Sequence, residues 1–266
     1  IYFGLRIHLV PNPDVCHQQE RDSSYHVFLS IGNMSELVNV RLDSDILYIG
    51  INRPDKKNCV NHATAKQLVA AFQRFNGDPK VKIGILYGED FPQKYRYMGP
   101  SITELKKPLI AAIEGYAVAG GLELSLMADI RVCSRSAVFG VFCRRVGVPL
   151  IDGGTVRLPR IIGLGRALDM TLTGRPITAE EALHWGLVTK VVNDGEALNA
   201  ASELARQIIK HPYNCMLADR RSLLNSFDAT EKDAFAFELN SLSVLPDAIQ
   251  GAAQFIKENQ RKKSKI

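Results

Sequence analysis

The sequence has one tryptophan in 266 residues, five cysteines, and no apolar run long enough to span a bilayer. The cysteines (Cys16, Cys59, Cys133, Cys143 and Cys215) are scattered, odd in number and without a CxxC pair. That spacing argues against a disulfide framework or a structural zinc site and fits a reducing compartment, either cytoplasm or mitochondrial matrix. The most apolar window, residues 108–128, is broken by Glu114 and Glu123, which a membrane-spanning helix would avoid. Neither charge sign dominates. Lys and Arg number 33 against 28 Asp and Glu, a net +5. So small an excess helps to hold a polyanionic ligand but is no argument for nucleic acid. His62 and His184 lack a second His or carboxylate at metal-ligand spacing, so no metal site is expected. Fixed-period repeats and low-complexity tracts are also missing.

What is present is a globular composition, 46% hydrophobic and 23% charged. Residues 1–34 show no period and are punctuated by Pro11, Pro13, Ser23 and Ser24, which predicts a loosely attached extension. They lack the charged-then-apolar layout of a secretory signal, and Asp14, Glu20 and Asp22 weigh against a transit peptide. Residues 38–52 alternate apolar and polar around Asp43-Ser44-Asp45 and predict a β-hairpin. Ala63, Leu68, Ala71, Phe72 and Phe75 share one helical face. Short apolar runs at 81–87, 109–113 and 130–133 predict strands, with a helix over 121–128 between the last two. Strands alternating with helices favour an α/β fold. From Thr178 the pattern turns helical, with candidates at 182–187, 196–210, 215–226 and 234–242.

One segment stands out for chemistry, Ile113-Glu-Gly-Tyr-Ala-Val-Ala-Gly-Gly-Leu-Glu-Leu-Ser-Leu-Met-Ala-Asp129. A strand runs into Ala117, Ala119, Gly120 and Gly121, and a helix then opens with Glu123 in its first turn. Small residues let a backbone approach a ligand, and the first N–H groups of a helix have no partner within it. Such a junction suits an oxyanion with a carboxylate alongside. It equally suits a tight packing corner whose Glu complements the helix dipole.

This segment resembles the central signature of the crotonase superfamily, the enoyl-CoA hydratases and isomerases. Three further stretches agree in the same order: Asn52-Arg-Pro-Asp-Lys-Lys-Asn58; Val138-Phe-Gly140 with Gly153-Gly-Thr155; and Leu172-Thr-Gly174 with Glu181-Ala-Leu-His-Trp-Gly-Leu-Val188. The resemblance covers about residues 36 to 260. It implies a crotonase-like spiral of ββα units over 35–210, followed by a C-terminal helical oligomerisation region over 211–266. It also implies a homo-trimer or dimer of trimers, an acyl-CoA thioester as substrate and no separate cofactor. By the same resemblance the Gly120 N–H is one of two donors to the thioester oxygen, and Glu123 is a catalytic glutamate. Arg53, Lys56, Lys57 and Lys257 fall where the family contacts coenzyme A.

The chain departs from the family in two places. Cys143 stands where the hydratases carry a second glutamate, and a thiol replaces a general acid–base carboxylate only if its pKa is strongly lowered. Arg144 and Arg145, which follow it, could lower it; Cys143 could equally just pack. Asp152 stands where the family's dienoyl-CoA isomerases place a catalytic aspartate. It could work with Glu123 as a proton-moving pair, or brace a turn against Arg144, Arg145 or Arg157. The second departure lies between Gly88 and Met98, where roughly twenty residues of the family's loop, the source of the first oxyanion donor, have no counterpart. Either the polypeptide lacks the loop or it has dropped out of this sequence. Losing one such donor costs on the order of 10²–10³ in rate. Isomerisation thus fits the residues better than hydration. Alternatives are a catalytically weak crotonase-fold binding protein, with RNA as one ligand, or decarboxylation or thioester hydrolysis through the same enolate.

Overall fold

The computed structural model describes residues 37–53, 58, 60–88, 98–246, 248–249, 251–253 and 256. Residues 1–34, Lys56, Lys57, Lys257 and the segment 89–97 lie outside the described residues. The hairpin forms as expected: β1 (Val38–Asp43) and β2 (Ile46–Ile51) pair antiparallel, with Val38 opposite Ile51. Helix α1 (His62–Gly77) follows, and Asn61 caps it by accepting from the Thr64 N–H at 2.9 Å. β3 (Ile83–Gly88) returns parallel to β2, and β4 (Leu109–Ile113) lies parallel beside β3. At Gly115 the chain turns off into β5 (Tyr116–Val118), the first strand of a second sheet. Helix α2 (Gly120–Ser125) follows at once. Then β6 (Ile130–Ser134) pairs with β4 and β7 (Val138–Gly140) pairs with β5, both parallel. Successive turns of chain therefore lay one strand in each sheet, as a spiral of ββα units requires.

Helices α3 (Gly154–Ile162) and α4 (Leu164–Thr173) come next, then β8 (Ile177–Thr178), antiparallel to β7. Helix α5 (Ala179–His184) leads to β9 (Lys190–Val192), parallel to β6. Helices α6 (Ala197–Ile208), α7 (Tyr213–Asn225) and α8 (Glu231–Leu239) complete the named elements. The larger sheet has the order β1-β2-β3-β4-β6-β9 and the smaller β5-β7-β8.

The inner strands β2, β3 and β4 of the larger sheet are buried on both faces, which is why they read as continuous apolar runs, whereas β1 at its edge exposes Asn39, Arg41 and Asp43. Along β2, Leu47, Ile49 and Ile51 enter the core that includes Leu68, Phe72 and Phe75 of α1. Ile46 and Tyr48 point the other way, toward Ala197, Ala200, Ala201 and Ala205 of α6. The alanine face lets α6 lie close to the sheet, and Ser202 accepts from the Tyr48 hydroxyl at 3.1 Å. The Glu114 carboxylate accepts from the Gly195 and Ala197 N–H groups, so the carboxylate in the apolar window caps α6. Tyr213 and Arg220 tie α7 to the sheet: the tyrosine hydroxyl donates to the Lys82 carbonyl, and Arg220 pairs with Asp129 at 3.0 Å.

α3 and α4 are not among the helices that the sequence predicts, which lie over 63–75, over 121–128 and from Thr178 onward. Gly153 and Gly163, both at positive φ, flank these helices, and Pro159 sits inside α3. Burial of Leu158, Ile162, Ala167 and Met170 against the core outweighs the local propensity.

Candidate active site

The site begins at the corner between β5 and α2. Ala119 joins them with φ 52° and ψ −124°, a left-handed conformation that costs an L-residue of order 1–3 kcal/mol. Its N–H donates to the Gly140 carbonyl at 2.8 Å, and its carbonyl accepts from the Glu123 N–H at 3.0 Å. Packing around Val118, Ala119 and Leu122, all buried, holds the corner. The helix then starts abruptly, so the Gly120 N–H has no acceptor within α2.

Glu123, one turn along, is 1% exposed. Its Oε1 accepts two backbone N–H groups, from Asp152 at 2.8 Å and Gly154 at 2.9 Å. Among the described residues Oε2 accepts no hydrogen bond. The donors lie in the turn entering α3, where Gly153 adopts φ 97°. Gly154 permits the close approach, because a Cβ there would come within 2.9 Å of the Glu123 Cγ and Oε1. Burial pushes the carboxyl of Glu123 up to about 7. The two N–H donors pull against that shift, the Asp152 charge adds to it, and Arg157 opposes it.

Asp152, also buried, turns its carboxylate toward the chain after residue 97. Oδ1 accepts from the Met98 N–H at 2.9 Å and from the Ser101 hydroxyl. Among the described residues the carboxylate pairs with no arginine. Instead, Arg157 donates from Nη1 to the Asp152 backbone carbonyl at 3.2 Å. The arginine brace expected for this turn thus acts on the backbone, and through Arg157 alone. Cys143 is buried, and burial, helped by the Glu123 charge, pushes its thiol up to about 11. The neighbouring Arg144 pulls the other way but does not prevail, so the thiol stays neutral.

Gly120, Glu123 and Asp152 come together in one place, with Cys143 close enough for its thiol to feel the Glu123 charge. Arg53 closes the segment after β2, where its N–H donates to Asn58 Oδ1 at 2.6 Å. Lys56, Lys57 and Lys257 fall outside the described residues. Three residues of the site gave no signal in the sequence: Ser101, Met98 and Arg131. The Arg131 guanidinium is buried behind α2 and donates to the carbonyls of Ser125, Ala128 and Leu187. It closes the C-terminal end of the helix whose first turn carries Glu123. Among the described residues no cluster of His, Cys, Asp or Glu could hold a metal ion, and no helix is long and apolar enough to cross a membrane.

The chain is similar to known proteins. Residues 91–262 match the family model for enoyl-CoA hydratase/isomerase. A carnitinyl-CoA dehydratase from Salmonella arizonae is 31% identical over 253 residues, covering 84% of this chain and 96% of the relative. Since 84% of 266 residues is fewer than 253, that relative carries residues with no counterpart here. The crystal structure of an enoyl-CoA hydratase from Mycobacterium marinum superposes with a TM-score of 0.77 at 34% identity, covering 84% of this chain and 96% of that one. One from Bacillus anthracis gives 0.77 at 26% identity, covering 84% and 97%. The spiral of ββα units, the corner at Ala119 and the buried glutamate one turn beyond it are thus set in a chain that belongs to the enoyl-CoA hydratase/isomerase family, an acyl-CoA enzyme of that type.

Proposed function

We propose that the chain moves a proton at C2 of an acyl-CoA thioester through an enolate, and that double-bond isomerisation fits it better than hydration. The observation that carries this reading is Glu123. One oxygen is pinned by two backbone donors, the other accepts nothing among the described residues, and the group titrates near 7. Such a carboxyl can take a proton as a base and return it as an acid near neutral pH. Oε2 faces the acyl chain and carries the proton. The Gly120 N–H meets the thioester oxygen as negative charge gathers there. Arg53, Lys56, Lys57 and Lys257 hold the coenzyme A portion.

Hydration needs a second group to handle the water proton. Cys143, which the resemblance puts at the second glutamate position, is a neutral thiol and a poor acid–base partner. Dehydration is the second reading, favoured by the likeness to the carnitinyl-CoA dehydratases. Glu123 alone would then take the C2 proton and supply one to the leaving hydroxyl.

The same reading includes a homo-trimer or a dimer of trimers. Its support is the exposed Leu164, Leu168 and Leu172 along α4 and the exposed Phe235 and Leu239 of α8, a helix that buries none of its residues in the single chain.

The test uses three thioesters. Butanoyl-CoA in deuterium oxide should gain deuterium at C2, and 3-hexenoyl-CoA should convert to the 2-enoyl form. 2-Butenoyl-CoA should be hydrated far more slowly. No exchange into butanoyl-CoA would remove the enolate reading, and hydration outpacing isomerisation would reverse the order of the two reactions.

A further inference from the structure

We propose that Asp152 is a positioning residue for Glu123, held in place by Ser101. The inference rests on Glu123 being the proton carrier. Asp152 makes four hydrogen bonds, two through its backbone and two through its carboxylate. Its N–H donates to Glu123 Oε1 at 2.8 Å, and its carbonyl accepts from Arg157 at 3.2 Å. Its carboxylate Oδ1 accepts both the Met98 N–H and the Ser101 hydroxyl. So the backbone of Asp152 faces the glutamate while its side chain is committed to the 98–101 segment. Asp152 and Ser101 are 3% and 2% exposed, so water does not replace these bonds readily.

Oδ1 is already occupied by two donors. The peptide N–H of the same residue sets where Glu123 Oε1 sits, and hence where Oε2 points. Ser101 acts at one remove: its hydroxyl fixes the aspartate, the aspartate fixes its own peptide plane, and that plane fixes the glutamate. Three charged or titratable groups bear on Glu123, namely Asp152, Arg157 and the Cys143 thiol. Asp152 and Arg157 belong to the α3 turn and the start of α3, and Cys143 to the short turn after β7.

The role separates from proton carriage in Asp152→Asn. Asparagine keeps the Oδ1 acceptor for Met98 and Ser101 and keeps the peptide N–H, but it cannot carry a proton. Deuterium exchange into butanoyl-CoA is the readout, followed from pH 5 to 9 with KM and kcat separated. The D152N enzyme should retain about tenfold more kcat than Asp152→Ala, with KM unchanged. The pH midpoint assigned to Glu123 should move down, because the aspartate charge that raises it is gone. Asp152→Ala and Ser101→Ala should each lose about tenfold to a hundredfold in kcat with KM unchanged. Circular dichroism confirms that each variant is folded.

D152N as inactive as Glu123→Gln would overturn the proposal, whatever the midpoint does. S101A with full kcat would overturn the part given to Ser101. Failure of the underlying reading looks different: Glu123→Gln would then remain active.

Discussion

A carboxyl group that is 1% exposed and titrates near 7 makes chemistry and stability pull against each other. In the folded chain Glu123 holds its proton up to about 7, against an ordinary value of 4.5. Its ionisation therefore weakens the fold as pH rises from about 4.5 to about 7, with no further change above. Glu123→Gln removes that penalty, so its melting temperature relative to wild type should be more favourable at pH 8 than at pH 4.5. The same variant should lose about 10²–10⁴ in exchange rate at C2, the usual contribution of a general base. Gly154→Ala reaches the glutamate sterically. The new methyl would meet Glu123 Cγ and Oε1, and a displacement near 1 Å should lower kcat about 10²-fold with little change in KM. At this scale Glu123 and Gly120 are legible in the sequence because they stand together in one short signature. Ser101 is not, because its partner is 51 residues away and neither residue type is unusual where it stands.

The corner between β5 and α2 is the element-scale counterpart. Ala119 holds φ 52° where glycine would rest without strain. Ala119→Gly should therefore raise unfolding stability in urea by about 1 kcal/mol, the relief of strain exceeding the added freedom of the unfolded chain. It should also loosen the angle at which the Gly120 N–H is presented, so exchange at C2 should fall while stability rises. The hairpin and α1 are legible because their apolar residues keep period 2 or 3.6, as in Leu68, Phe72 and Phe75 of α1, and the central strands because they read as unbroken apolar runs. α3 and α4 are not, since Pro159 and the glycines at 153, 163 and 165 hide a pattern that only packing rescues.

For the whole molecule the informative feature is apolar surface. Leu164 and Leu172 of α4 are 66% and 65% exposed, and Phe235 and Leu239 of α8 64% and 65%. Single chains rarely leave large apolar groups grouped this way. Leu168→Glu and Leu239→Glu should each shift sedimentation from a multiple of the chain mass toward the single chain, and full-size assemblies in both would argue against these faces as contacts. The composition gave no hint of this, because exposed and buried leucines are the same letter until the helices are placed.

Glu123 receives its two N–H donors from residues 29 and 31 positions further along the chain, and Asp152 binds back across 51 and 54. A ribosome that has delivered everything through β7 has therefore made the glutamate but nothing to hold it. Until residue 154 emerges, that side chain is an ordinary, hydrated carboxylic acid. Its unusual acidity is a late product of synthesis, acquired only when the turn before α3 closes over it.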